Sequence, residues 1–177
     1  MPQVRYNVAT SLDGFIASPD GSTNWIIEDS SIDFDALYSE FGFFVMGRKT
    51  YEVMQSLGET PLSKRPKENV IVASRTMKQQ DFPNITIIHE NIVDYIRQLK
   101  SQGGKDIWLM GGGMLAAQCF EADLVDTVEA AVMPVMLGDG VKMVEPVHNM
   151  RLCLSECKTL KSGIIMTRYV VSNKQSQ

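Results

Sequence analysis

The alternation of short β-branched runs with amphipathic helical stretches is what most limits how this chain of 177 residues can fold. Val4 to Thr10 reads as a strand, and Phe15 to Ala17 as a short extension after the turn "SLDG". After the polar loop "SPDGSTNW", the residues Phe34, Leu37, Tyr38 and Phe41 fall on one face. They predict a helix from about Ser31 to Phe41, with Ser31 as N-cap. "FFVMG" (Phe43 to Gly47) is a buried strand, and "RKTYEVMQSL" a helix with Tyr51, Met54 and Leu57 on one side. A polar loop from Gly58 to Glu68 separates it from the strands "NVIVAS" and "ITIIH". Asn91 then caps a helix running to Lys100, with Ile92, Ile96 and Leu99 inward. "DIWLM" is a strand, Met114 to Glu121 a helix apolar on most sides, and Val125 to Met133 a strand ended by Pro134. "LGDG" is a turn, and Leu152 to Leu160 with Ile164 to Val171 form a hairpin around "KSG". This order predicts an α/β fold: a mostly parallel central sheet, helices on both faces and a C-terminal antiparallel hairpin. One domain is expected over residues 1–172, with 173–177 a frayed tail.

In such sheets ligands bind beyond the carboxyl ends of the strands. Three strand ends carry unusual residues. Gly111, Gly112 and Gly113 join "DIWLM" to the next helix, which opens with Met114 and Leu115. Three glycines satisfy either of two needs: a tight, closely packed turn, or bare amides at a helix N-terminus where an anion is favoured. Gly47, Arg48, Lys49 and Thr50 also join a strand to a helix, with two cations and a hydroxyl. Ser74 and Arg75 follow the next strand. Together they suit a dinucleotide with a 2′-phosphate: amides for the pyrophosphate, cations for the extra phosphate.

The bulk composition narrows the partners. A net charge of -4 argues against a nucleic-acid or anionic-membrane surface. No window is long and apolar enough to span a bilayer, and "MPQVRYNVATSLDG" lacks the regions of a signal peptide. Cys119, Cys153 and Cys157 form no metal-ligand pattern and read as reduced thiols of a cytoplasmic protein. His89 and His148 lie far apart without ligand-like companions, so no metal is expected.

The acids have competing explanations. Asp13 stands in an Asp-Gly turn pair, while Asp33 and Asp35 stand where a carboxylate complements a helix dipole. Periodicity does not choose between Asp33 and Asp35. A reductase acting on a pteridine or aminopyrimidine would want one carboxylate on the ring N–H groups. Trp25 either shields such a ring or caps the core.

The sequence resembles the dihydrofolate reductase-like superfamily, above all the reductase domain of riboflavin-biosynthesis deaminase-reductases. "SLDGFIA" resembles the riboflavin type, as does the spaced set Gly111 to Leu115, Leu124 to Asp126, Pro134 and Leu137 to Gly140. "VMGRKTYE" (Val45 to Glu52) is similar to dihydrofolate reductase instead. The resemblance implies NADPH as hydride donor, with its phosphates on Gly47, Arg48, Thr50, Ser74, Arg75 and the Gly111–Gly113 turn. It implies Asp33 as the helix carboxylate of dihydrofolate reductases and Asp13 as the turn aspartate of the riboflavin type. The implied substrate is a small heterocycle. It is either a ribosylaminopyrimidine of the riboflavin pathway, or dihydrofolate or another pteridine. A non-catalytic NADP-binding module is a third possibility. Riboflavin-type relatives are commonly homodimers. Two departures stand out: Ala116 replaces an aromatic residue after the glycines, and "GRKTYEVMQSLGE" lacks an acidic, proline-containing segment. The zinc deaminase signature is absent.

Overall fold

The computed structural model describes residues 1–58 and 60–172, so the tail expected at 173–177 lies outside the described residues. Ten strands and four α-helices follow in order. They are β1 (Val4–Ser11), β2 (Phe15–Ala17), α1 (Phe34–Ser39), β3 (Phe41–Gly47), α2 (Arg48–Ser56), β4 (Val70–Ala73) and β5 (Thr86–Ile88). Then come α3 (Ile92–Ser101), β6 (Asp106–Gly111), α4 (Gly113–Glu121), β7 (Thr127–Met133), β8 (Val141–Lys142), β9 (Leu152–Thr159) and β10 (Ile165–Val171). Eight strands form one sheet in the order β5-β4-β3-β6-β1-β7-β10-β9. Pairing is parallel from β5 through β7 and antiparallel where β10 and β9 extend the edge.

Strand alternation sends successive side chains to opposite faces. Val4, Tyr6, Ile107, Leu109, Val45 and Ile71 meet α3 and α4 through Ile96, Leu99, Leu115, Ala116, Cys119 and Phe120. Phe41, Phe44, Met46, Val70, Val72 and Trp108 fill the other face, against Leu37, Tyr38, Tyr51 and Met54 of α1 and α2. Helices therefore cover both faces, as the alternating pattern predicts. Beyond β1, a third cluster packs Met133, Leu160 and Ile164 against Trp25, Ile26 and Ile32.

Several boundaries differ from the sequence reading. The helix expected from Ser31 to Phe41 is only Phe34–Ser39, and its N-cap is Asp33, whose carboxylate accepts from Ala36 N at 2.9 Å. Ser31 is held elsewhere, its N–H donating to Asp29 at 2.9 Å. The apparent apolar face was partly coincidence: Phe34 is 54% exposed, whereas Phe41 is fully buried at the start of β3. Asn91 does precede α3, but in left-handed conformation and without a side-chain cap bond. The run from Val125 becomes strand only at Thr127, and β8 had no counterpart in the pattern. The polar loop after Gly58 contains two short 3₁₀ turns, Pro61–Lys64 and Lys67–Asn69.

A buried ion network anchors the N-terminal end of the sheet. Arg5 is 4% exposed, and its guanidinium donates to Glu129 through Nε (2.6 Å) and Nη2 (2.8 Å). Its Nη1 reaches Glu40 at 2.5 Å and Asp106 at 3.3 Å. Asn7, Thr127 and Arg168 also donate to Glu129. Burial alone would raise the Glu129 carboxyl; Arg5 and Arg168 hold it below its ordinary value. β1, β6, β7, β10 and the end of α1 are thus joined through one guanidinium and its carboxylate.

A strap, residues 134–147, joins the carboxyl edge near β1 to α4. Asp13 is its clasp. Its carboxylate accepts from Ser11 Oγ at 2.7 Å, Gly138 N at 2.7 Å and Leu137 N at 3.1 Å. Leu12 N donates to Val135 O, Met143 N donates to Gly14 O, and β2 pairs with β8. Tyr6 Oη donates to Met143 O from below. Glycine is required where the strap meets other backbone: a Cβ on Gly113 would lie 2.6 Å from Lys142 O.

Two consequences are measurable. Arg5→Met should cost about 3–5 kcal/mol in urea unfolding, because it leaves a buried carboxylate without its main partner. Adding Glu129→Gln should recover part of that loss. The Asp13 carboxyl is held at about 2 against an ordinary 3.8, by the Ser11 hydroxyl first and then the Gly138 and Leu137 amides. A lowered carboxylate stabilises the fold above its unfolded value and loses that contribution as pH falls through the folded one. The Tm gap between the wild type and Asp13→Asn should therefore be full above pH 3.8 and close as pH falls toward about 2. A gap independent of pH over that window would remove the clasp.

Candidate functional site

The sheet order places the three unusual strand ends side by side. β3 lies between β4 and β6, with Gly47 in register with Ala73 and Met46 with Gly111. Gly47–Thr50, Ser74–Arg75 and Gly111–Leu115 consequently share one edge of the sheet. A Cβ on Gly47 would lie 3.8 Å from Gly111 O, so the two turns touch through backbone.

Two helices of nine residues each begin here, and glycine is the N-cap of both: Gly47 for α2 and Gly112 for α4. Neither has a side-chain cap, whereas α1 is capped by Asp33. The first-turn amides of α2 and α4 lack intrahelical partners by construction and lie at the positive end of each helix dipole. Each glycine of the triplet has its own cause. Gly111 (φ +113) and Gly112 (φ +40) adopt backbone that L side chains rarely enter, and Gly113 has no room for a Cβ. Around Gly112 no atom lies within 4 Å of where a Cβ would be, so its outer side is open. Tight packing therefore accounts for Gly113 and backbone conformation for Gly111 and Gly112, with open space on the outer side of Gly112.

The polar side chains of the edge are unequally committed. Thr50 Oγ1 accepts the Gly112 N–H at 3.2 Å. Arg48 is exposed and pairs with Glu52 at 2.8 Å, one helical turn on. Ser74 is buried, and its Oγ accepts from Met77 N (3.1 Å) and Thr76 N (3.3 Å), shaping the turn that carries Arg75. Arg75 is exposed and has no ion pair or hydrogen bond among the described residues. Met114 projects into solvent at 66% exposure, while Leu115 faces the core.

The acids are not brought together. Asp13 lies beyond the end of β1, committed to the strap. Asp33 is exposed at the start of α1. A cavity of about 290 Å³ opens beside it, with Leu37 on the helix side, Asn7 on the floor and Lys158 and Arg168 on the hairpin side. A larger hollow, about 500 Å³, lies on the opposite face among Phe15, Phe120, Val144 and Met150. It is apolar, with Asp13 and Lys142 at its margin, and it does not reach Asp33. Although larger, it lacks converging polar groups. Trp25 packs in the third cluster and its indole N–H is buried without an acceptor. Among the described residues, no group of three His, Cys, Asp or Glu could hold a metal ion, and no helix is long and apolar enough to cross a membrane.

The sequence reading missed Asn7, Glu129 and Arg168, which line the cavity beside α1. The one available signal was a charged residue inside an otherwise apolar strand: Arg5 in "VRYNVA", Glu129 in "TVEAAVM". Their partnership needs the β1–β7 register, which local pattern does not supply.

Comparison with known proteins agrees with this geometry. The uncharacterized protein YyaP of Bacillus subtilis is 28% identical over 177 residues, covering 94% of each chain. A crystal structure from Shewanella sp. PV-4, of a protein assigned to riboflavin biosynthesis, superposes with a TM-score of 0.81. Identity there is 25%, with 98% of this chain and 100% of that one covered. Dihydrofolate reductase from Enterococcus faecalis, solved with NADP(H), superposes with a TM-score of 0.67 at 13% identity, over 97% of both chains, which establishes the shared fold. The RibD C-terminal domain matches residues 2–166. With a dihydrofolate reductase-like fold and a match over nearly its whole length, the chain belongs to the RibD C-terminal domain family.

Proposed function

We propose that the protein is an NADPH-dependent reductase of the riboflavin type, acting on a 5-amino-6-(5-phosphoribosylamino)uracil-like heterocycle. One observation carries the cofactor: two adjacent helix N-termini, both capped by glycine and neither by a side chain, beside Arg75, which has no partner among the described residues. That edge suits the pyrophosphate at Gly47, Gly113, Met114 and Leu115, and the 2′-phosphate at Arg75, with Ser74 shaping its turn. Arg48 joins by exchanging Glu52 for a phosphate oxygen.

Bound there, the nicotinamide supplies the hydride. The chain's own task is to orient the rings and manage the accompanying proton. Asp13 is a permanent anion near neutral pH, since its carboxyl is held at about 2. It therefore fixes the "SLDG" turn and stabilises positive character rather than donating a proton. Asp33, beside the cavity under α1, is the carboxylate placed to hold ring N–H groups. Trp25 packs in the cluster next to that helix with its indole N–H buried and does not line the cavity, so it would support the site from behind through packing. We place the protein in the cytoplasm, where exposed thiols such as Cys153 and Cys157 persist, and as a homodimer on the pattern of the riboflavin-type relatives.

Cofactor oxidation should appear with the aminopyrimidine substrate, and Asp33→Asn should reduce kcat/KM about 100- to 10,000-fold, the usual range for a lost acid–base group. Arg75→Ala should cut the preference for NADPH over NADH about tenfold. Turnover of dihydrofolate in place of the aminopyrimidine would move the protein to the pteridine reductases. NADPH binding without turnover of either would make it a binding module.

A further inference from the structure

Thr50 belongs to α2, yet its hydroxyl engages the next strand-helix unit rather than its own. Oγ1 accepts the N–H of Gly112, 62 residues away, at 3.2 Å. Gly112 has backbone angles of φ 40 and ψ 138, which are neither helical nor extended. It has no side chain, and nothing packs where a Cβ would stand. The far side of its residue is already engaged, because its carbonyl accepts Ala116 N at 3.0 Å to begin α4. Gly113 is pinned as well, by its carbonyl to Glu145 N at 3.3 Å and by the closeness of Lys142. The peptide entering Gly112 meets the Gly47 turn through its carbonyl, on Gly111, and its N–H is engaged by Thr50. That hydrogen bond helps to set its orientation.

We propose that Thr50 is a positioning residue: its hydroxyl latches the Gly112 peptide to α2 and so presets the α4 amides for the cofactor's pyrophosphate. The cofactor half of the inference rests on the reductase reading; the latch rests on geometry alone. The Gly112 N–H is withdrawn from the anion, and the presented set becomes Gly113, Met114 and Leu115. Presetting lowers the ordering cost of binding, so its loss should appear as weaker affinity rather than as an altered fold. Thr50 is half-buried on the first turn of α2, where valine keeps the shape and removes the acceptor.

Calorimetry with NADPH should show Thr50→Val binding about five- to fifty-fold more weakly than wild type, with Thr50→Ser within about threefold. Equal affinity of Thr50→Val and wild type would overturn the proposal. A double-mutant cycle with Gly112→Ala separates a latch from a direct contact. Effects that fail to add support action through Gly112, and additive effects contradict it. The second readout needs no cofactor: the Gly112 amide should lose hydrogen-exchange protection in Thr50→Val and keep it in Thr50→Ser. Unchanged protection in Thr50→Val sinks the latch. If wild-type protein does not bind NADPH, the reductase reading fails, and the amide measurement still decides the latch.

Discussion

Seating β3 between β4 and β6 fixes where the three unusual strand ends can stand. Parallel strands all end on the same edge, so the register of Gly47 with Ala73 and of Met46 with Gly111 brings three turns within reach of one ligand. No long-range attraction is needed to gather them. The hydrophobic faces of the strands set the order, and the polar ends follow. The site thus inherits its geometry from a core that includes Val45, Ile71, Val72 and Leu109, none of which touches it.

The same dependence explains why segments that resemble riboflavin-type reductases occur together. "SLDGFIA", the triple glycine and "LGDG" are distant in sequence and form one interlocked assembly. Asp13 binds the amides of the "LGDG" turn, β2 pairs with β8, and the strap's Lys142 carbonyl occupies the space that a Cβ on Gly113 would need. A residue type in one segment therefore restricts the others for mechanical reasons. A carboxylate receiving two amides and a hydroxyl is a poor proton donor, so on the proposed function Asp13 would contribute a fixed charge.

Periodicity read the architecture well wherever an element is buried on a face. The strands of the sheet and the inward residues of α3 fell where alternation and 3.6-residue spacing placed them. It failed at α1, whose six residues include none that is buried. Only Leu37 and Tyr38 pack on the sheet, both part-buried, and polar contacts do the rest: Asp33 at its start, with Glu40, Arg65 and Lys105 securing its end. Two such residues make a short stripe, and the longer one visible in the sequence borrowed Phe41 from the next strand. The edge residues were legible because glycine, serine and arginine at strand ends are local signals. The cavity beside α1 was not, because Asn7, Glu129 and Arg168 meet only through pairings that span more than 100 residues of chain for β1 with β7.

This division has a chemical consequence. The edge proposed for the cofactor is assembled from backbone and turns. The cavity proposed for the ring depends on scattered side chains of β1, β7, β10 and α1. Glu129 there is saturated by Arg5, Asn7, Thr127 and Arg168, leaving it little capacity to accept from a ligand. Arg168 commits only its Nε to Glu129 and is one-third exposed, so its terminal nitrogens can face the cavity. The cavity thus carries both signs of charge, Asp33 and Glu40 on the side of α1, and Glu156 beside Lys158 and Arg168 on the hairpin side. If it holds the substrate, as proposed, substrate choice depends on residues that can change without disturbing the strand-end edge.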